Sequence, residues 1–216
     1  MSLKIGQVTT VVISSATLAK EIFQKYDSPF SNRYVPDAIR VHDHHEFGIG
    51  FVPVGPLWRK LRKVCNSDIF TPQKLDANQE LRQQKVQELL ADVQEHCLVG
   101  EAADIGQAAF RITFNALSNT IFSLDLIDSS SGTSYKEVMR SMMDVAGKPN
   151  LSDYFPILRY FDLQGIRRRS EILFQKMFDL FNCIIKERLQ SRNILGYISK
   201  NDMLETLLSI SQENSA

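Results

Sequence analysis

Between residues 167 and 191, Leu173, Met177, Leu180, Phe181, Ile184 and Ile185 recur at helical spacing. Glu171, Lys176, Asp179 and Lys186 fall on the opposite side. A 3.6-residue period held this long predicts an amphipathic helix and excludes a half-buried strand, whose period is two. Similar but shorter patterns surround it. Val86, Leu89, Leu90, Val93 and Cys97 form a stripe closed by Gly100. Asp104 caps a helix carrying Ile105, Ala108, Ala109, Ile112, Ala116 and Leu117, which reads as buried on more than one face. Ser134 and Glu137 have capping-box spacing ahead of Tyr135, Val138, Met139, Met142, Val145 and Ala146, and Gly147-Lys148-Pro149 ends that run. A last short helix begins at Asn201-Asp202-Met203. The serine-rich stretch at residues 128–132 reads as a loop.

The amino-terminal end differs. Leu3-Lys4-Ile5 and the β-branched run from Val8 to Ile13 flank Gly6, so two short strands around a tight turn are expected. Ser14 or Ser15 then caps a helix with Leu18, Ile22 and Tyr26 on its apolar side. The fold class that follows is mainly α with a small N-terminal β-sheet. From Phe30 to Gly55 periodicity fades among Pro36, Gly48, Gly50, Pro53 and Gly55, and a loop this long in a compact domain is more often functional than not. Residues 151–161, rich in aromatics, read as an apolar connector that must dock on something.

At Pro56, well suited to a first helical turn, a further helix starts. Trp58, Leu61, Arg62 and Cys65 fall on one face of it, while Arg59, Lys60 and Lys63 turn away. A guanidinium cannot be deprotonated, so on an inward face Arg62 needs an anion: a core carboxylate or an anionic ligand.

Charge and composition narrow the partners. With 25 basic and 25 acidic residues the chain carries no overall field for nucleic acid or an anionic membrane, and Arg167-Arg168-Arg169 reads as a solvated basic turn. Cys65, Cys97 and Cys183 are far apart, without a C-x-x-C pair, and read as small core residues in a reducing compartment. His42-Asp43-His44-His45-Glu46 lacks metal-ligand spacing, so no metal site is assigned. No Gly-rich phosphate loop, G-x-S-x-G or H-E-x-x-H motif occurs.

Gly55-Pro56-Leu57-Trp58-Arg59-Lys60-Leu61-Arg62-Lys63-Val64-Cys65 resembles the W-x-x-x-R helix of plant microsomal cytochromes P450, the heme-thiolate monooxygenases. Tyr26-Asp27-Ser28-Pro29-Phe30-Ser31-Asn32-Arg33, the stretch from Ile39 to His45, and Asn201-Asp202-Met203-Leu204-Glu205-Thr206-Leu207-Leu208 agree with it in order. They resemble the branch that hydroxylates terpenoids, including geraniol hydroxylases and ferruginol synthases. The resemblance implies a partial fold of that family, from the strand pair through the helix before the oxygen-activating helix. Residues 1–216 would then be the N-terminal part of one catalytic domain, without membrane anchor or C-terminal heme-thiolate part.

The resemblance also implies roles. Trp58 and Arg62 would hold a heme propionate. Residues 34–54 would lie over the heme and line a pocket for a small apolar substrate, a terpenoid, through His45, Phe47, Phe51 and Val52. Met142 would join them from a lid made of residues 135–146, the connector and the following helix. Arg59, Lys60 and Lys63 would face NADPH-cytochrome P450 reductase, and residues 154–161 would touch the cytosolic face of the endoplasmic reticulum membrane. None of the three cysteines stands in the Gly- and Arg-containing loop that supplies the family's iron ligand, and no A-G-x-D-T motif occurs; the resemblance implies that the family's E-x-x-R pair is missing from this chain as well. The expectation is NADPH- and O2-dependent hydroxylation in a complete protein, and no monooxygenase activity from this chain alone. The alternative is a non-catalytic helical interaction protein built on the same scaffold, whose half-core leaves apolar surface exposed.

Overall fold

A computed structural model describes residues 1–127 and 132–213, with backbone alone at 132–134. The serine-rich loop assigned to 128–132 and the capping side chain of Ser134 therefore lie largely outside the described residues. The chain divides into two units, Met1–Arg62 with Arg140–Lys176, and Lys63–Met139 with Met177–Ala216.

In the first unit, strands β1 (Ser2–Ile5) and β2 (Val8–Val11) pair antiparallel, with Ser2 opposite Val11 and Ile5 opposite Val8. Gly6 makes the turn at φ +60°, and a Cβ there would lie 2.5 Å from the Tyr154 carbonyl oxygen. That close approach docks the hairpin, and Gln7 N–H donates to the same oxygen at 2.9 Å. Ser15 caps α1 (Ala16–Lys25), and α2 (Asp27–Phe30) follows. Leu18 and Tyr26 of the expected apolar side are exposed, and only Ile22 is half-buried.

The punctuated stretch after residue 30 is less irregular than expected. It holds two 3₁₀ turns, Asp37–Ile39 and Val41–Asp43, then α3 (His44–Phe47). His42 and Asp43 both have left-handed backbone, φ 51° and 52°, which breaks helical continuity where sequence shows no glycine. Helix α4 (Pro56–Val64) runs into a π-helical turn, Cys65–Ile69.

Helices α5 (Pro72–Ala77) and α6 (Gln79–Val99) follow, α5 with Thr71 as N-cap and Pro72 at its first position. Gly100 ends α6 at φ +75°, while Glu101 N–H donates to the His96 carbonyl at 3.0 Å. The α6 stripe needs correction: Val86, Leu90 and Cys97 are exposed, and the buried residue is Lys85. Glu88 and Asp125 accept from its ammonium at 2.8 and 2.6 Å, so a charge is buried with its partners.

Asp104 caps α7 (Ile105–Phe122) by accepting from Gln107 N–H at 2.9 Å. Its buried line is Ala108, Ile112, Asn115 and Ser118. Ile105 and Leu117 are exposed, but from Ala108 to Phe122 every other residue except Thr113 is at least half-buried, so the helix is covered on more than one face as expected. The second unit's core joins Leu126 and Tyr135 to Ile184 and Leu204, with the Phe122 and Phe181 rings 5.4 Å apart.

Helix α8 (Gly132–Ala146) leads to α9 (Leu151–Tyr154) and a 3₁₀ turn, Pro156–Tyr160. The connector docks in part: Asp153, Tyr154 and Arg159 are held by Asp37, Gln7 and Tyr34, while Ile157, Tyr160 and Phe161 are 67%, 91% and 69% exposed. Helices α10 (Ile166–Arg192) and α11 (Met203–Glu213) complete the chain. Every α10 residue expected inward is at least half-buried, and Glu171, Lys176, Asp179 and Lys186 are exposed.

Candidate functional site

Arg59 N–H closes the first turn of α4 onto the Gly55 carbonyl at 3.0 Å, so Gly55-Pro56 fixes where the helix begins. Trp58, Leu61, Val64 and Cys65 are half-buried along one side. Arg59, Lys60 and Lys63 are exposed, as expected. Arg62 is exposed as well, which corrects the inward face assigned to it. It lies only about 40° around the helix from Trp58, on the flank of the buried side. A permanently charged guanidinium stays hydrated there because no carboxylate is within ion-pairing reach among the described residues. Trp58 and Arg62 thus present an indole N–H and a hydrated cation one turn apart, with no acidic residue in the first turn of α4.

A pocket of about 200 Å³ lies between the Asp37–Ile39 turn, the end of α8 and the start of α10. Ala38 and Ile39 form one wall, Met142 and Val145 another, Leu173 and Phe174 the third. Ala38, Val145 and Ile166 are packed with Leu173 as this unit's core, so the walls rest on a fixed base. Of the five residues expected to line a substrate pocket, Met142 borders this cavity. His45, Phe47, Phe51 and Val52 do not line the pocket. The segment curls on itself instead: Gly48 N–H donates to the His44 carbonyl at 2.8 Å, while Phe51 and Val52 N–H groups donate to Gly48 at 2.9 Å. Phe47 is left 67% exposed. His44 packs its ring 5.0 Å from Phe174; burial, helped by neighbouring His45, lowers its pKa and favours the neutral imidazole. The buried His45 Nδ1 has no hydrogen-bond partner among the described residues.

Behind Ala38, Asp37 is fully buried. Arg159 Nε stands 3.0 Å from its Oδ1, close enough for ion pairing but outside hydrogen-bond alignment. Arg167 is at 3.9 Å. Burial raises the Asp37 pKa, and the two arginines only partly offset it. Asp153 joins the group, accepting from Asp37 N–H at 2.7 Å and from the Tyr34 hydroxyl at 3.2 Å. These contacts tie the pocket's first wall to the 153–159 segment. Periodicity carried no trace of them, because they join polar residues more than a hundred positions apart.

The cysteines stand apart. Cys65 is half-buried, while Cys97 and Cys183 are exposed rather than core residues, and among the described residues no three His, Cys, Asp or Glu side chains are grouped to hold a metal. The donors of α4 suit a carboxylate-bearing cofactor. No described cysteine is set in a ligand cluster that would suit its iron. Among the described residues no helix is long and apolar enough to cross a membrane.

A family model described as cytochrome P450 matches residues 1–216. Geraniol 8-hydroxylase of Catharanthus roseus is 50% identical over 216 residues, which cover 99% of this chain and 43% of the relative. Drimenol monooxygenase of Persicaria hydropiper is 44% identical over 218 residues, covering all of this chain and 43% of its own length. A protein named inactive cytochrome P450 76AD1, from Beta vulgaris, is 43% identical over 217 residues and is covered to 52%. The chain therefore spans less than half the length of the hydroxylases it matches.

Proposed function

The chain belongs to the cytochrome P450 family, and from that premise we propose that it forms the amino-terminal part of a heme-dependent plant terpenoid hydroxylase. The observation carrying this reading is the match over the whole chain, joined to Trp58 and a carboxylate-free Arg62 one turn apart. In the complete protein these two would hold a heme propionate by charge-assisted hydrogen bonds. When bound, heme supplies the iron at which dioxygen is activated for insertion into a C–H bond. The chain's own residues bind and orient. Met142, Val145, Leu173 and Phe174 would enclose a small apolar substrate, a terpenoid by analogy with geraniol 8-hydroxylase and drimenol monooxygenase.

The exposed Arg59, Lys60 and Lys63 would meet an acidic surface of NADPH-cytochrome P450 reductase. Residues 154–161, with Ile157, Tyr160 and Phe161 exposed, would lie against the cytosolic face of the endoplasmic reticulum membrane.

In a full-length version, Arg62→Ala is expected to weaken heme retention about tenfold, and Arg62→Lys to restore part of it. Heme transfer to apomyoglobin measures this, and unchanged transfer rates would remove the basis for the site. A second reading, a non-catalytic helical interaction protein, draws on exposed apolar groups such as Leu98, Val99, Ile194, Leu195 and Ile198, and on likeness to a relative named inactive. A reading frame continuing into a cysteine-ligand loop would decide for the enzyme.

A further inference from the structure

Ser170, on the first turns of α10, also borders the 200 Å³ pocket and is 3% exposed. Several hydroxyls on this chain's helices are satisfied by the backbone four residues earlier: Ser67 donates to Lys63, Thr120 to Ala116, Ser191 to Glu187 and Ser209 to Glu205, all at 2.8–3.0 Å. Ser170 makes no such bond, and among the described residues no hydrogen bond of its hydroxyl is found, while the oxygen keeps some accessible surface. The little surface it keeps opens into the pocket. A hydroxyl on an otherwise apolar lining, with no protein partner, has both its donor and its acceptor capacity open to a ligand oxygen.

The remaining walls say what else that ligand is. Ala38, Ile39, Met142, Val145, Leu173 and Phe174 offer hydrocarbon and a thioether, with no charged side chain on the lining. An ionised ligand would be desolvated there without a counter-charge, and one with several polar groups would leave all but one unpaired. Size sets the other limit. A 150 Å³ apolar cavity accepts benzene, so about 200 Å³ takes a molecule on the order of ten non-hydrogen atoms.

We propose that Ser170 is the polar anchor of this pocket, binding the single hydroxyl of a small, otherwise hydrocarbon ligand and fixing which end of it enters first. This rests on the reading of the pocket as a substrate site and adds a positioning residue to it. The consequence is chemical as well as spatial, because a ligand held by its one oxygen presents its far carbons elsewhere.

Equilibrium dialysis of the full-length protein with two probes tests this: geraniol, and 2,6-dimethylocta-2,6-diene, the same skeleton without the hydroxyl. The wild type should bind geraniol about fivefold more tightly than the hydrocarbon. Ser170→Ala should bring that ratio to about one by weakening geraniol alone, and Ser170→Thr should keep it. A ratio unchanged by Ser170→Ala, or no preference in the wild type, overturns the anchor. Met142→Trp, which fills the pocket, separates the two claims. If it abolishes binding of both probes while Ser170→Ala does nothing, the pocket stands and the anchor falls. If neither probe binds the wild type, or Met142→Trp changes nothing, both fall.

Discussion

Replacing Arg188 with Ala is expected to destabilise the protein by about 3–5 kcal/mol, as does breaking a buried ion pair from one side. Arg188 is 5% exposed and lies between two carboxylates, donating to Asp202 at 2.7 and 3.0 Å and to Glu205 at 3.1 Å. It also donates to the Phe122 carbonyl at 2.7 Å, joining the end of α7 to α10 and α11. Without the guanidinium, two acids less than a tenth exposed would face each other, with Arg192, Tyr197 and Ser199 left for Glu205 and Ser123 for Asp202. Urea unfolding should show the loss as a lowered midpoint, and Arg192→Ala should cost much less, about 1 kcal/mol. Equal costs would mean that the pair is not the centre of the network.

The same network gives acid sensitivity. Burial pushes the Asp202 pKa up, but hydrogen bonds from Arg188, Ser123 and the Glu205 N–H outweigh it and hold the carboxyl below its ordinary value. Glu205 is likewise lowered: burial opposes this, and Arg192 and Arg188 prevail. Groups depressed on folding stabilise above their unfolded pKa, about 4, and lose that contribution as pH falls through the folded values.

Gly6→Ala is expected to release the amino-terminal hairpin. An L-residue at φ +60° costs about 1–2 kcal/mol, and the added methyl would stand 2.5 Å from backbone rather than from a side chain that could swing aside. The hairpin must lift, breaking the Gln7 bond to Tyr154. A combined local cost of about 2–4 kcal/mol should accelerate exchange of the Gln7 amide by at least about thirtyfold. Protection equal to wild type would show that the turn docks by other contacts.

Where local chemistry decides structure, sequence was sufficient. Gly6, Ser15, Thr71-Pro72, Asp104 and Gly100 each begin or end an element as their backbone preferences require, and the α10 stripe marks its inner face. Where remote polar partners decide, it was not. Lys85 is buried because Asp125 lies forty residues away, and the stretch after Ser31 is held by Asp153, Arg159 and Phe174, none of which leaves a mark on local periodicity. The candidate site divides in the same way. Trp58, Arg62 and Met142 could be named from pattern and resemblance, whereas Asp37 and Ser170 became visible only once α8, α10 and the 37–39 turn stood together. Helical spacing set Arg62 beside Trp58 but did not tell an inner face from its solvated margin.

The π turn at Cys65–Ile69, closed by Phe70 N–H onto the Cys65 carbonyl at 2.8 Å, holds one residue more than an α turn would. A π turn winds fewer degrees per residue than an α turn, so it takes up an extra residue without breaking the helix. Asp68 and Ile69, both half-buried, still continue the side that carries Leu61 and Cys65, so the wide turn prolongs one buried stripe instead of ending it.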